Sequence, residues 1–141
     1  MTIAEAAGLE KPEYMVITVG INNGVPFLEE DEFKRCYTKF IDAIIKASPE
    51  TKLMLQSVYP VAKNNEKTSI TNEKIDRANV WIADIAREYN IKYLNTNPYL
   101  KDDEGYLDMS YQNGDGIHLN RTGFEAVLAY IRTHGYPKTT D

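Results

Sequence analysis

The sequence predicts an α/β domain built on a parallel sheet of about three strands, with helices on both faces. Three observations lead there. Short apolar, β-branched runs alternate with long amphipathic segments, in the order helix, strand, helix, strand, helix, strand, loop, helix. The first run is apolar throughout rather than alternating, as strands covered on both faces are. Enough chain separates successive runs for a crossover helix, which parallel strands require.

Composition sets the outer bounds. With 141 residues, 43% hydrophobic and 26% charged, residues 1–141 hold one domain with one core. A net charge of -5 without a basic stripe argues against a nucleic-acid partner. The lone Cys36 allows neither a disulfide framework nor a thiolate zinc site, and is expected to be a small buried hydrophobe. No run is long enough for a membrane span, and Met1 to Gly8 lacks the pattern of a signal peptide. The expectation is a soluble chain, cytoplasmic if Met1 is the natural start, with secretion left open if it is not.

Thr2 and Glu5 form a capping box for a short helix rich in alanine, which Gly8 is expected to end before Lys11-Pro12. Tyr14 to Val19 is the first strand, closed by Gly20. Gly20-Ile21-Asn22-Asn23-Gly24 is the loop at its carboxyl end, where Asn-Asn-Gly is favourable turn chemistry in its own right. A helix from about Glu29 to Ala47 follows, with Phe33, Cys36, Tyr37, Phe40, Ile41 and Ile44 on one face. The acids Glu29 to Glu32 suit a solvated helix start, where the dipole favours negative charge, rather than a metal site.

Pro49 stops that helix, and Lys52 to Val58 is the second strand, closed by Tyr59-Pro60. Residues 62–71 are polar and aperiodic, a loop of the kind that lines substrate entrances. A helix from about Asn72 to Tyr89 buries Ile75, Ala78, Ile82, Ile85, Ala86 and Tyr89, with Trp81 in the core beside them. Ile91 to Leu94 is the third strand, followed by a turn at Asn95 to Pro98 and a stretch to Asn113 with little pattern, whose acids Asp102 to Glu104 face solvent. In the last helix Thr122 and Glu125 read as a capping box, Phe124, Val127, Leu128 and Ile131 as the apolar face, and Gly135 with Pro137 as the stop. His134 complements the dipole of its final turn.

Chemistry concentrates in Asp115-Gly116-Ile117-His118-Leu119-Asn120, just before that helix. A turn there can set the Asp115 carboxylate on imidazole Nδ1 of His118, fixing the tautomer and leaving Nε2 as a general base. In parallel sheets such groups gather on the rim at the carboxyl ends of the strands, where Gly20 to Gly24 also lies. Asn22 could there donate its amide to an oxygen that becomes negative.

Taken together, Gly20-Ile21-Asn22-Asn23 after a buried strand and Asp115 to Asn120 before the final helix resemble the third and fifth sequence blocks of the SGNH hydrolases, or GDSL lipases and esterases. The lead Pro12-Glu13-Tyr14-Met15-Val16-Ile17 and the pair Gly123-Phe124 extend the resemblance over essentially the whole chain. It implies a flavodoxin-like three-layer α/β/α fold and serine ester hydrolysis without metal or organic cofactor. It implies His118 as base, Asp115 as its orienter and Asn22 as an oxyanion donor, with Gly20 and Asn23 beside the substrate. Asn23 stands where the family more often has Asp; members resembling platelet-activating-factor acetylhydrolase also carry Asn-Asn there.

The family's Gly-Asp-Ser nucleophile motif and the glycine of its second block do not occur in the sequence. The chain thus resembles the later part of the domain, without its N-terminal strand, and as written is expected to be inactive. Ser57 and Ser110 are the serines whose neighbours would bring them nearest the rim. Tyr14 to Val19 would become a sheet edge, covered by a second copy, a swapped element or a separate first half. The implied substrate is a small acyl ester or an acetylated carbohydrate. The rival is a non-catalytic binding or assembly protein on the same fold; a nucleotide-binding domain ranks last, because residues 20–24 lack a phosphate-binding glycine pattern.

Overall fold

The computed structural model describes residues 1–67 and 69–137. Helix α1 (Ile3–Glu10) starts at the expected capping box: the Glu5 N–H donates to Thr2 Oγ1 at 3.1 Å and the Thr2 N–H to Glu5 Oε2 at 2.7 Å. It does not stop at Gly8. A Cβ there would lie 3.2 Å from the Ala47 carbonyl oxygen, so the bare glycine lets α1 lie against the following helix. The chain leaves α1 at Lys11, in the left-handed region with φ 46°.

Strands β1 (Tyr14–Ile17), β2 (Lys52–Gln56) and β3 (Lys92–Leu94) form one parallel sheet in the order β1-β2-β3. Helix α2 (Glu30–Ala47) joins the first pair and α3 (Asn72–Glu88) the second. Met15, Ile17, Leu53, Leu55 and Tyr93 pack on the side of α2 and α3, while Tyr14, Val16, Met54 and Leu94 pack on the side of α4 (Arg121–His134). This is the expected three-layer α/β/α fold. Each fully buried Ile or Leu of the first side, such as Ile41, Ile82 and Leu55, contributes roughly 1.5–3 kcal/mol.

Several expectations are corrected by packing. The strand β1 ends at Ile17 rather than Val19, and Tyr14, Met15 and Val16 are half-buried, because β1 is a sheet edge. In α2 the buried stripe is Phe33, Tyr37, Ile41 and Ile44; Phe40 is half-buried and Cys36 is exposed, not a buried hydrophobe. Trp81 is in the core as expected, but so are Asn72 and Asn79, seven residues apart on one edge of the apolar stripe.

The cap of α4 is Asn120, whose Oδ1 accepts from the Gly123 N–H at 2.9 Å, and not Thr122 with Glu125. Packing makes Gly123, Val127 and Tyr130 the buried stripe and leaves Phe124 and Leu128 exposed. Gly123 is required there because a Cβ would meet the Tyr111 carbonyl oxygen at 2.6 Å. His134 Nδ1 lies 3.1 Å from the Tyr130 carbonyl oxygen, at the helix end it was expected to complement.

The stretches without pattern are ordered by local pairing. Lys63–Lys67 forms a 3-10 turn inside the 62–71 loop, of which Thr68 lies outside the described residues. Antiparallel bridges Lys101 to Leu107 and Gln112 to Leu119 fold residues 97–119 against α4.

Candidate active site

The bridge between Gln112 and Leu119 closes residues 113–118 into a tight loop, with the Asn113 N–H donating to the His118 carbonyl at 3.0 Å. Inside it, Asp115 Oδ1 accepts from the backbone N–H groups of Ile117 and His118, both at 2.8 Å, and Oδ2 lies 2.5 Å from His118 Nδ1. Gly116 makes the turn possible. Its φ is +76°, and a Cβ would collide with the Asn65 side chain and come within 2.7 Å of Asn64 Oδ1. The same approach lets the Ala62 N–H donate to the Gly116 carbonyl at 2.8 Å and Asn65 Nδ2 to the Asp115 carbonyl at 2.9 Å.

The contact with His118, followed by the two backbone N–H groups, holds the Asp115 carboxyl down at about 2. An ionised carboxylate can only accept, so His118 Nδ1 carries a proton, and in the neutral ring Nε2 presents a lone pair. This is the orientation a general base requires.

His118 and Asn22 come together on one cavity of about 230 Å³, lined also by Thr18, Val19, Ile21, Val58, Tyr59, Val61, Ile117, Leu119 and Phe124. It opens at the carboxyl ends of β1 and β2. Gly20 and Asn23 do not line it. They lie on a neighbouring apolar groove with Leu28, Phe33, Cys36 and Tyr37. Gly20, at φ +120°, serves the turn: it accepts from the N–H groups of Gly24 and Val25.

Neither candidate serine lines the cavity that holds His118 and Asn22. Ser57 is fully buried, and its Oγ accepts from the Asn97 N–H at 2.8 Å. Ser110 is exposed, but its hydroxyl donates to Asp108 Oδ1 at 2.6 Å.

The residues that hold the cavity's floor were not singled out from the sequence. Asn79 takes both the N–H and the carbonyl of Val58, at 2.8 and 3.1 Å, and Asn72 does the same for Val61, both at 2.9 Å. Asn97 Nδ2 adds a bond to the Val58 carbonyl at 2.9 Å. These amides act as a third strand edge for a segment that has left the sheet. Their signal was two asparagines seven residues apart, hence on one edge of an apolar helical stripe.

Comparison with known proteins decides the family. The model of the GDSL-like lipase/acylhydrolase family matches residues 2–126, a span that includes Asn22, Asp115 and His118. The chain belongs to that family. Among solved structures, it is similar to a protein from Streptococcus pneumonia described as a candidate platelet activating factor, with TM-score 0.78 and 22% identity over 88% of this chain and 60% of that one. It is similar to a GDSL-like lipase from Bacteroides thetaiotaomicron, with TM-score 0.69 and 24% identity over 91% of this chain and 66% of that one. It is also similar to an acetylxylan esterase from Geobacillus stearothermophilus, with TM-score 0.67 and 19% identity over 94% of this chain and 64% of that one. The chain therefore spans from 60% to 66% of the length of these three structures, which share its fold. No curated protein matches it at a significant level.

Proposed function

We propose that the chain supplies the base, its orienter and an oxyanion donor of a serine ester hydrolase, and that the nucleophilic serine comes from a segment outside these 141 residues. The observation that carries this reading is the Asp115–His118 pair at the mouth of a cavity that also holds Asn22. Membership of the acylhydrolase family supports it. An incoming serine hydroxyl would attack the acyl carbon while His118 Nε2 takes its proton. The oxygen that becomes negative would accept from the Asn22 amide. His118 would then return the proton to the departing alcohol, and water would repeat the sequence on the acyl-enzyme.

The nucleophile must arrive at the rim where β1 ends. A strand carrying it on a turn at its carboxyl end would therefore run parallel to β1, along the free edge. Substrates are small acyl esters, acetylated carbohydrates among them.

The test is hydrolysis of p-nitrophenyl acetate. The chain alone should show no turnover, and adding a strand–turn segment that bears Gly-Asp-Ser should produce turnover. His118→Ala should then lower it by at least about 10⁴-fold. Turnover by the chain alone that is lost in Ser110→Ala would overturn the assignment of the nucleophile. Ester binding with no turnover even after the segment docks would instead favour a non-catalytic binding protein.

A further inference from the structure

Gln56, the last residue of β2, is 2% exposed, so both amide hydrogens and the amide oxygen must be satisfied inside the protein. Its Nε2 donates to Thr18 Oγ1 at 2.8 Å and to the Tyr59 hydroxyl oxygen at 3.0 Å, and its Oε1 accepts from Thr96 Oγ1 at 2.7 Å. The opposite amide orientation would set the oxygen against two hydroxyls and the NH₂ against one, stranding a buried amide hydrogen. Two hydrogens need two acceptors, and that decides the orientation.

The consequence falls on the cavity. The Thr18 and Tyr59 oxygens each accept from Gln56 and each keep their own proton. Even if one hydroxyl donates to the other, one proton is left over. Thr18 and Tyr59 both line the cavity that holds His118 and Asn22. Burial pushes the Tyr59 hydroxyl up, which keeps it a neutral donor. Most of the remaining lining is apolar, Val19, Val58 and Phe124 among it.

We infer that Gln56 is a positioning residue: it sets the Thr18 and Tyr59 hydroxyls as hydrogen-bond donors on the cavity wall, where they bind an acceptor oxygen of a small ester. This rests on the cavity being the ester site. At about 230 Å³ the cavity lies below the usual range for drug-sized ligands, roughly 300–1,000 Å³, so it takes a short acyl ester rather than a long hydrocarbon chain.

The experiment is an NMR titration of the isotope-labelled chain with ethyl acetate, and with benzene as an apolar probe. Ethyl acetate should shift the resonances of His118 and Asn22. Thr18→Val combined with Tyr59→Phe should raise its Kd about five- to tenfold, the worth of one neutral hydrogen bond, and leave the Kd for benzene within about twofold. In Gln56→Glu, the ionised carboxylate would draw both hydroxyl protons to itself, so ethyl acetate should bind more weakly as pH rises through that group's titration. A merely structural role would weaken binding equally at every pH. Ester that shifts neither His118 nor Asn22 overturns the reading of the cavity. Ester that binds there equally well in the wild type and the double variant overturns the donor assignment alone.

Discussion

Asp115 receives three donors on two oxygens, and that arrangement explains both its charge and its hold on the His118 ring. Because its carboxyl is held at about 2 in the fold, against 3.8 for an unperturbed group, its contribution to the turn is fully present above pH 4 and is lost as pH falls through the folded value. A carbon-detected NMR titration of the Asp115 carboxyl should therefore give a midpoint near 2, and the loop should open only below it. A midpoint at the unperturbed value would show that the His118 contact is absent in solution. Gly116 is a second test at this scale. Gly116→Ala adds backbone strain and a collision with Asn65, so denaturant unfolding should show a loss of about 1–3 kcal/mol, together with a displaced His118 ring in its NMR spectrum.

The element on which the site depends is the start of α4. Asn120 caps it through Oδ1, while Nδ2 donates to the carbonyls of Ser110 and Gln112 at 2.8 and 2.9 Å. One side chain thus ties the helix to the loop that carries Asp115 and His118. Asn120→Ala should cost about 2–3 kcal/mol, more than an ordinary cap, because two carbonyls lose their donor as well. Asn120→Asp keeps the cap acceptor and loses only the donors, so its unfolding free energy should fall between Asn120→Ala and the wild type. Equal losses in the two variants would show that the cap contributes nothing. On the far side of the cavity, the clamps from α3 do for Val58 and Val61 what a neighbouring strand would do.

For the whole molecule, the open edge of β1 dominates. The Lys52 N–H donates to the Glu13 carbonyl at 2.9 Å, so by the alternation of a parallel ladder Met15 and Ile17 turn their backbone groups to β2, and Tyr14 and Val16 turn theirs outward. An apolar edge of this kind pairs with whatever strand it meets. Two copies related by a two-fold axis would pair antiparallel and place their His118 residues at opposite ends. The isolated chain should therefore associate with rising concentration in sedimentation experiments. Val16→Pro, which removes only an outward N–H, should return it to monomer. Persistent association in that variant would place the contact elsewhere, and association should also fall when a nucleophile-bearing segment is added. Among the described residues, no helix is long and apolar enough to cross a membrane.

Periodicity and short-range chemistry were legible without the fold. The alternation of strands and helices, the Thr2 cap, the core position of Trp81 and the Asp115–His118 turn all follow from neighbours within a few residues, and such interactions are written in the order of the chain. What lay beyond reach depends on groups brought together from far apart. Whether Thr122 or Asn120 capped α4 was decided by Ser110 and Gln112, and whether Cys36 was buried by which face of α2 met the sheet. The clamps of Asn72, Asn79 and Asn97, and the hold of Gln56 on Thr18 and Tyr59, join residues up to 39 positions apart. The sequence by itself therefore determined the architecture and the turn that joins Asp115 to His118. Only tertiary structure decided which hydrogen bonds the buried amides make, because each of those bonds needs a partner whose position exists only once the sheet and helices have packed.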